Sequence, residues 1–295
     1  MNIGFIGLGI MGKPMVRNLL KKGFTVTVND VNEEAVAVLV GDGAKAAPSP
    51  KEVGQASDVV ITMLPNNAIV KDVILGEKGI IHGAKAGAVV IDMSSVSPIV
   101  SREIAAKLKE RGIDMLDAPV SGGEPKAIDG TLAIMVGGEE AVFERVKPVL
   151  QAMGQDVTLV GPNGCGSIAK LANQIIVNVN IAAMSEAFVL AAKNGIDVEK
   201  MYQAIRGGLA GSTVLDAKAP MVLARNFQAG GRIDINLKDL TNVMETARAT
   251  DVPLPLTEHV LHVFETLKEE GKQTLDHSGI VQYYEKLAGV TVEKK

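Results

Sequence analysis

Gly7-Leu8-Gly9-Ile10-Met11-Gly12 sets three glycines at GxGxxG spacing directly after an apolar run, Ile3-Gly4-Phe5-Ile6. Glycine at those positions permits a tight turn, close approach of backbone to a pyrophosphate, and close packing of the next helix on the strand. That helix, carrying Met15, Val16, Leu19 and Leu20, would direct its N-terminal N–H groups at the anion. A second run, Phe24 to Asn29, ends at Asp30, about 18 residues after Gly12. A carboxylate there accepts hydrogen bonds from both ribose hydroxyls of NAD and repels the 2′-phosphate of NADP, and Val31 offers no basic partner to that phosphate. These residues predict a dinucleotide site that takes NAD (NADH) in preference to NADP.

A second set of residues bears on carbonyl or carboxylate chemistry. Ser121-Gly122-Gly123 combines a hydroxyl with clustered backbone N–H groups, a shape suited to a carboxylate, and is equally readable as a flexible glycine turn. Lys170 lies one turn into a strongly apolar stretch, with Asn173 and Gln174 three and four residues on, so all three share one helix face. An ammonium there either belongs to a solvated first turn or faces a polar cleft, because burying it unpaired is costly. His259 and His262 lack a third ligand and read as a surface pair, while His82 and His277 stand apart. Met63, Met93, Met135 and Met184 read as core filling. We expect no metal. Cys165 is the only cysteine, which excludes a disulfide framework and fits a reducing cytoplasm.

The elements that position these residues change character at Gly164-Cys165-Gly166-Ser167. Before that point, apolar runs such as Asp58 to Leu64, Val89 to Asp92, Asp114 to Asp117, Leu132 to Val136 and Asp156 to Val160 alternate with helical patterns. Ser49-Pro50-Lys51-Glu52 and Ser97-Pro98 carry helix-start chemistry. Ligands of open parallel sheets sit beyond the carboxyl ends of the strands, so Leu64, Pro65, Asn66 and the turn Met93-Ser94-Ser95 fall on one rim with the glycine loop and Ser121. After Gly164, Ser167 is placed to cap a largely apolar helix through about Asn194, about 40 Å long and buried as a spine. Further helices are predicted near 197–206, 213–225 (with Pro220 as a kink or end), 234–249, 256–270 and 276–287. The predicted fold class is α/β: a mostly parallel sheet domain over 1–163, then an all-α domain over 164–295, joined by the long helix.

The 295 residues, 47% hydrophobic and 22% charged, suit two ordinary globular domains. A net charge of −4 gives no electrostatic reason to expect nucleic acid. The N-terminus lacks the pattern of a signal peptide. Asn173, Gln174, Asn178, Asn180, Ser185 and Glu186 would make the long helix expensive in a bilayer, so no membrane partner is expected.

Taken together, GLGIMG after a strand, DAPVSGG at Asp117 to Gly123, KLANQ at Lys170 to Gln174 and LKDL at Leu237 to Leu240 resemble the beta-hydroxyacid dehydrogenases, in order and spacing over essentially the whole chain. GGEPKAIDGTL (Gly122 to Leu132), NIAAMSEA (Asn180 to Ala187) and IRGGLAGSTVLDAKAPM (Ile205 to Met221) are most similar to the branch acting on a short hydroxylated semialdehyde acid. The resemblance implies a Rossmann-type domain followed by a helical domain that assembles a homodimer or homotetramer. It further implies that Lys170 is the catalytic lysine, Ser121, Gly122 and Gly123 bind substrate, Asn173 orients it, and Ser95 and Lys238 lie near the nicotinamide. Gln174 departs from the asparagine of many relatives. Other short semialdehyde or hydroxy acids, an NAD-holding sensor and a purely structural oligomer are the competing readings. The joint presence of Ser121, Lys170, Asn173 and Lys238 favours the enzyme.

Overall fold

Strand β1 (Asn2–Ile6) is buried from its second residue onward, as a central strand of a parallel sheet requires. It pairs in parallel with β2 (Thr25–Asn29). The short β3 (Lys45–Ala46) extends the sheet beyond β2, and β4 (Val59–Thr62) flanks β1 on its other side. Next come β5 (Val89–Asp92), β6 (Asp114–Asp117), the two-residue β7 (Val120–Ser121), β8 (Leu132–Gly137) and β9 (Gly154–Gly161). This computed structural model describes residues 1–294, and among the described residues nine strands form one sheet, β3-β2-β1-β4-β5-β6-β8-β7 with β9 on β8. Pairing is parallel through β6, after which β8 runs antiparallel to both β6 and β7.

Successive strand residues feed opposite faces of the sheet. Phe5, Ile61 and Ile91 join one core, while Ile6, Val60 and Val90 join the other. Helices α1 (Gly12–Lys21), α2 (Glu33–Gly41), α3 (Pro50–Ala56), α4 (Asn67–Leu75), α5 (Pro98–Lys109), α6 (Gly123–Asp129) and α7 (Glu140–Leu150) connect the strands. Ser49 caps α3 and Ser97 caps α5, each with proline in the first turn, as their sequences predict. This is the α/β, mostly parallel Rossmann-type architecture expected.

Helix α8 (Cys165–Lys193) starts three residues earlier than a cap at Ser167 would place it. Ser167 is not its cap but a buried residue within its first turn, whose N–H donates to Asp117. The chain divides into two compact units, Met1–Lys170 and Leu171–Lys295, so the first turn of α8 belongs to the unit that holds the sheet. By length and composition α8 could cross a membrane, yet Ile181 and Phe188 are fully buried core. Its buried Asn178 and Ser185 donate to the carbonyls of Gln174 and Ile181.

The second unit adds α9 (Val198–Ile205), α10 (Thr213–Leu223), α11 (Ile233–Ala249), α12 (Pro255–Glu269) and α13 (Val281–Ala288) around Phe188, Leu215, Val260, Phe264 and Ile280. Pro220, expected to kink or end α10, lies inside it, and the helix ends at Leu223, just ahead of the left-handed Arg225. The final helix expected from Asp276 resolves into a 3₁₀ turn, His277–Ile280, followed by α13. A strap formed by 273–277 docks on 227–234: the N–H groups of Ile233, Asp276 and His277 donate to the carbonyls of Leu275, Phe227 and Gly231.

Candidate active site

At the end of β1 each glycine of the fingerprint has its own reason. Gly7 adopts φ +98° and leaves no room for a Cβ, which would stand 2.2 Å from the Met63 carbonyl oxygen. A Cβ on Gly12 would lie 1.9 Å from the Gly7 oxygen, so helix and loop touch backbone to backbone. Gly9 faces open space, which leaves the loop surface clear for a ligand. No side chain caps α1; Lys13 N–H donates to the Gly9 carbonyl and Pro14 carries none, so an anion would meet the N–H groups of the glycine loop just ahead of them. Asp30 is fixed opposite: its Oδ2 accepts from Leu8 N–H at 2.6 Å and its Oδ1 from Asn32 N–H at 2.7 Å. Val31 is fully exposed beside it. A cradle a Cβ would fill, donors for a pyrophosphate and a strand-end carboxylate fit a dinucleotide.

The rim continues over β4 and β5. Leu64 N–H donates to Ser94 Oγ at 2.8 Å, and Asp92 Oδ1 accepts from Thr62 Oγ1 at 2.8 Å and from Ser94 N–H at 3.1 Å. Burial pushes the Asp92 carboxyl up to about 6, against the pull of its Ser94 and Thr62 donors. Asn66 Oδ1 caps α4 through Ile69 N–H, so that oxygen is committed to the helix, while Pro65 is exposed and Ser95 half-buried.

Asp117 stands opposite Asp92 at the end of β6. Its Oδ1 accepts from Gly164 N–H at 2.7 Å and its Oδ2 from Ser167 N–H at 2.8 Å. Ser167 Oγ in turn meets Ser101 Oγ of α5 at 2.9 Å. Lys170, one turn further along α8, is only 8% exposed, so the solvated-first-turn reading is overturned. Ser121 is half-buried at the end of β7, and Gly122 and Gly123 follow, exposed, with φ of 138° and 67°. The dinucleotide rim, the Ser121 turn and Lys170 thus all belong to the first unit.

The second unit gathers another polar group. Asn173 Nδ2 donates to Gln174 Oε1 at 3.0 Å, and Gln174 Nε2 donates to Asp239 Oδ2 at 2.7 Å. Lys238 Nζ lies 3.1 Å from Asp239 Oδ1. Asn173 and Lys238 are therefore brought together through two residues, Gln174 and Asp239, that are themselves buried. Ser212, in the loop 208–212, caps α10 through Leu215 N–H, and Leu209 is fully exposed. Sequence reasoning missed Asp92, Asp117 and Asp239 as organisers of the site. Aspartates ending apolar strands were the available signal for the first two, and the LKDL motif for the third.

Among known proteins, residues 2–161 match the family described as the NAD binding domain of 6-phosphogluconate dehydrogenase. Residues 164–284 match the family described as NAD-binding of NADP-dependent 3-hydroxyisobutyrate dehydrogenase. The chain is similar to the 2-hydroxy-3-oxopropionate reductase of Escherichia coli (strain K12), at 43% identity over 98% of both chains. Similarity to the 2-(hydroxymethyl)glutarate dehydrogenase of Eubacterium barkeri is 42% identity over 98% of this chain and 97% of that one. Among solved structures it is similar to the 3-hydroxyisobutyrate dehydrogenase of Mycobacterium tuberculosis with L-serine: TM-score 0.89, 32% identity, 96% of this chain and 98% of that one.

Proposed function

The chain belongs to the beta-hydroxyacid dehydrogenase family of NAD(P)-dependent oxidoreductases, and on that premise we propose that it reversibly reduces tartronate semialdehyde (2-hydroxy-3-oxopropanoate) to D-glycerate. NADH is the proposed cofactor and Lys170 the general acid/base. The observation that carries this reading is a nearly buried lysine on the one turn of α8 that packs with the dinucleotide-type sheet.

When bound, the reduced nicotinamide supplies a hydride to the aldehyde carbon. The Lys170 ammonium donates a proton to the developing alkoxide, so that hydride and proton together complete the alcohol. In the oxidative direction the same proton transfer runs in reverse, with the amine taking the proton from the alcohol. The backbone N–H groups of Gly122 and Gly123 and the Ser121 hydroxyl take the substrate carboxylate. Asn173 orients the substrate, and Ser95 and Lys238 border the nicotinamide.

Asp30 supports NADH over NADPH, because both its oxygens are already anchored by backbone N–H groups and cannot swing away from a 2′-phosphate. The 3-hydroxyisobutyrate dehydrogenase reading is favoured by the match of residues 164–284. Loss of NADH absorbance across a panel of short semialdehyde acids separates the two.

A homodimer or homotetramer is part of the proposal. Ile176, Ala183 and Leu190 are exposed at seven-residue spacing along α8, an apolar seam suited to a second copy of the helix. A single cysteine, Cys165, suits the cytoplasm.

A further inference from the structure

We infer that Asp117 is a positioning residue that seats Lys170: from the end of β6 its carboxylate caps the start of α8 and holds that turn against the sheet. The inference rests on the reading of Lys170 as proton donor.

A helix start leaves four N–H groups without intrahelical partners, and a side-chain oxygen just before the helix usually satisfies one of them. Helix α8 lacks such a residue, since Gly164, which has no side chain, stands just before its first residue Cys165 and Ser167 lies already inside the turn. Asn163 is engaged elsewhere, its Nδ2 donating to the Met115 carbonyl at 2.8 Å. Asp117, some fifty residues earlier in the chain, fills the role, giving one oxygen to Gly164 N–H and the other to Ser167 N–H. A buried anion at a helix N-terminus is also favoured by the helix dipole. Burial nevertheless raises its carboxyl above the ordinary carboxylate range, with the two N–H bonds opposing.

The turn is clamped from two further directions. A Cβ on Gly166 would stand 2.3 Å from the Asp117 carbonyl oxygen, 2.5 Å from that of Met135 and 2.8 Å from Gly137 N. A Cβ on Gly137 would meet Asp117 Oδ1 at 2.6 Å and Gly166 N at 2.7 Å. No side chain separates helix from sheet here, so backbone contact sets their spacing. On the remaining side Ser101 and Ser167, both buried, join hydroxyl to hydroxyl. Lys170 follows Ser167 by three residues, on the next turn of a rigid helix. Any shift of the first turn is therefore transmitted to the lysine, and about 1 Å of misplacement at a reacting group costs about 10²-fold. Asp117 pairs with Asp92, whose strand ends in the Ser94-Ser95 rim, so one strand-end register ties the lysine helix to the cofactor edge.

The test is a double-mutant cycle in the full chain, with kcat, KM for the semialdehyde and NADH affinity read for each variant. Asp117→Asn keeps one acceptor but turns an amide N–H₂ towards a backbone N–H. It should lower kcat about 10²-fold while NADH affinity stays within about twofold. Combined with Lys170→Ala it should be no worse than Lys170→Ala alone, because both changes remove the same proton transfer. A role in general stability would instead multiply the two losses. Gly166→Ala, which keeps the carboxylate but pushes the turn off the sheet, should show the same non-additivity and carries the test if Asp117→Asn fails to fold. Multiplying losses, or an Asp117→Asn kcat within threefold of wild type beside an inactive Lys170→Ala, would overturn the inference alone. A Lys170→Ala enzyme with near-normal kcat would overturn the reading of Lys170 and the inference with it.

Discussion

Gln174 donates its side-chain amide to Asp239 Oδ2 at 2.7 Å, linking the lysine-bearing helix α8 to the LKDL turn of α11 where both residues are buried. The same amide oxygen accepts from Asn173, so the residue proposed to orient substrate is itself oriented by Gln174. A shorter asparagine at 174 would fall a methylene short of Asp239. Gln174→Ala should cost about 1–3 kcal/mol by urea unfolding, as expected when a buried carboxylate loses a donor. It should also raise KM for the semialdehyde while leaving NADH affinity unchanged. A KM equal to wild type would show that Asn173 holds its orientation without Gln174.

Cofactor choice turns on Asp30. Wild-type kcat/KM should favour NADH over NADPH, and Asp30→Gly with Val31→Arg should narrow or invert that ratio by removing a repulsion and adding a phosphate partner. Fluorescence titration of both reduced cofactors checks the effect at the level of binding. A wild-type preference for NADPH would remove Asp30 from its assigned role.

Lys170→Ala should lower kcat by about 10² to 10⁴ with NADH affinity nearly intact. Lys170→Arg should fail as well, since a guanidinium gives up its proton far less readily and has a different shape. Retained turnover in either variant would move the proton transfer to another group, with Lys238 the next to test.

Much of the first unit was legible because its determinants are local: GxGxxG, Ser49-Pro50 and Ser97-Pro98 each act within a few residues. The continuous apolar run in α2, Ala-Val-Ala-Val-Leu-Val, shows no helical period, and β3 and β7 are two residues long, too short to show one. Ser167 resembled a cap because the true cap, Asp117, lies 50 residues away in sequence. His277 read as isolated for the same reason: its partner Asn178 is 99 residues distant, and Lys218 reaches the adjacent Asp276 across 58. Periodicity finds elements, whereas contacts of this range appear only once the chain has folded.

Acid should act on the two units in opposite directions. His277, buried near Lys218, has its pKa lowered to about 4, so the folded state binds fewer protons than the unfolded one between about pH 4 and 6.5. Stability is therefore lost as pH falls through that window, by about 3 kcal/mol for this group. Burial alone would raise Asp276, but His277, Lys218 and backbone N–H donors hold it at about 2, so its contribution is lost only below about pH 4. Asp92, raised to about 6 by burial, works the other way: its folded state binds the extra proton between about pH 4 and 6, and stability rises as pH falls there. Urea midpoints at pH 7, 5.5 and 4 should fall less steeply in His277→Gln and more steeply in Asp92→Asn than in the wild type. Identical slopes in all three proteins would rule out both assignments.

Substrate choice within the family depends on the pocket around the carbonyl. Tartronate semialdehyde carries a hydroxyl where methylmalonate semialdehyde carries a methyl group. Polar groups placed for the hydroxyl are left unpaired by the methyl analogue, which is a stronger basis for rejection than a missing methylene. The amides of Asn173 and Gln174, ordered by Asp239, are the side chains we propose for that role. The Ser212 hydroxyl is engaged in capping α10. The expected kcat/KM for tartronate semialdehyde is at least roughly tenfold above that for methylmalonate semialdehyde, a difference of about 1.4 kcal/mol in transition-state binding. Steady-state kinetics on both substrates under identical conditions decides the matter. Equal or better activity on the methyl compound would transfer the assignment to a 3-hydroxyisobutyrate dehydrogenase, with the fold and the family unchanged.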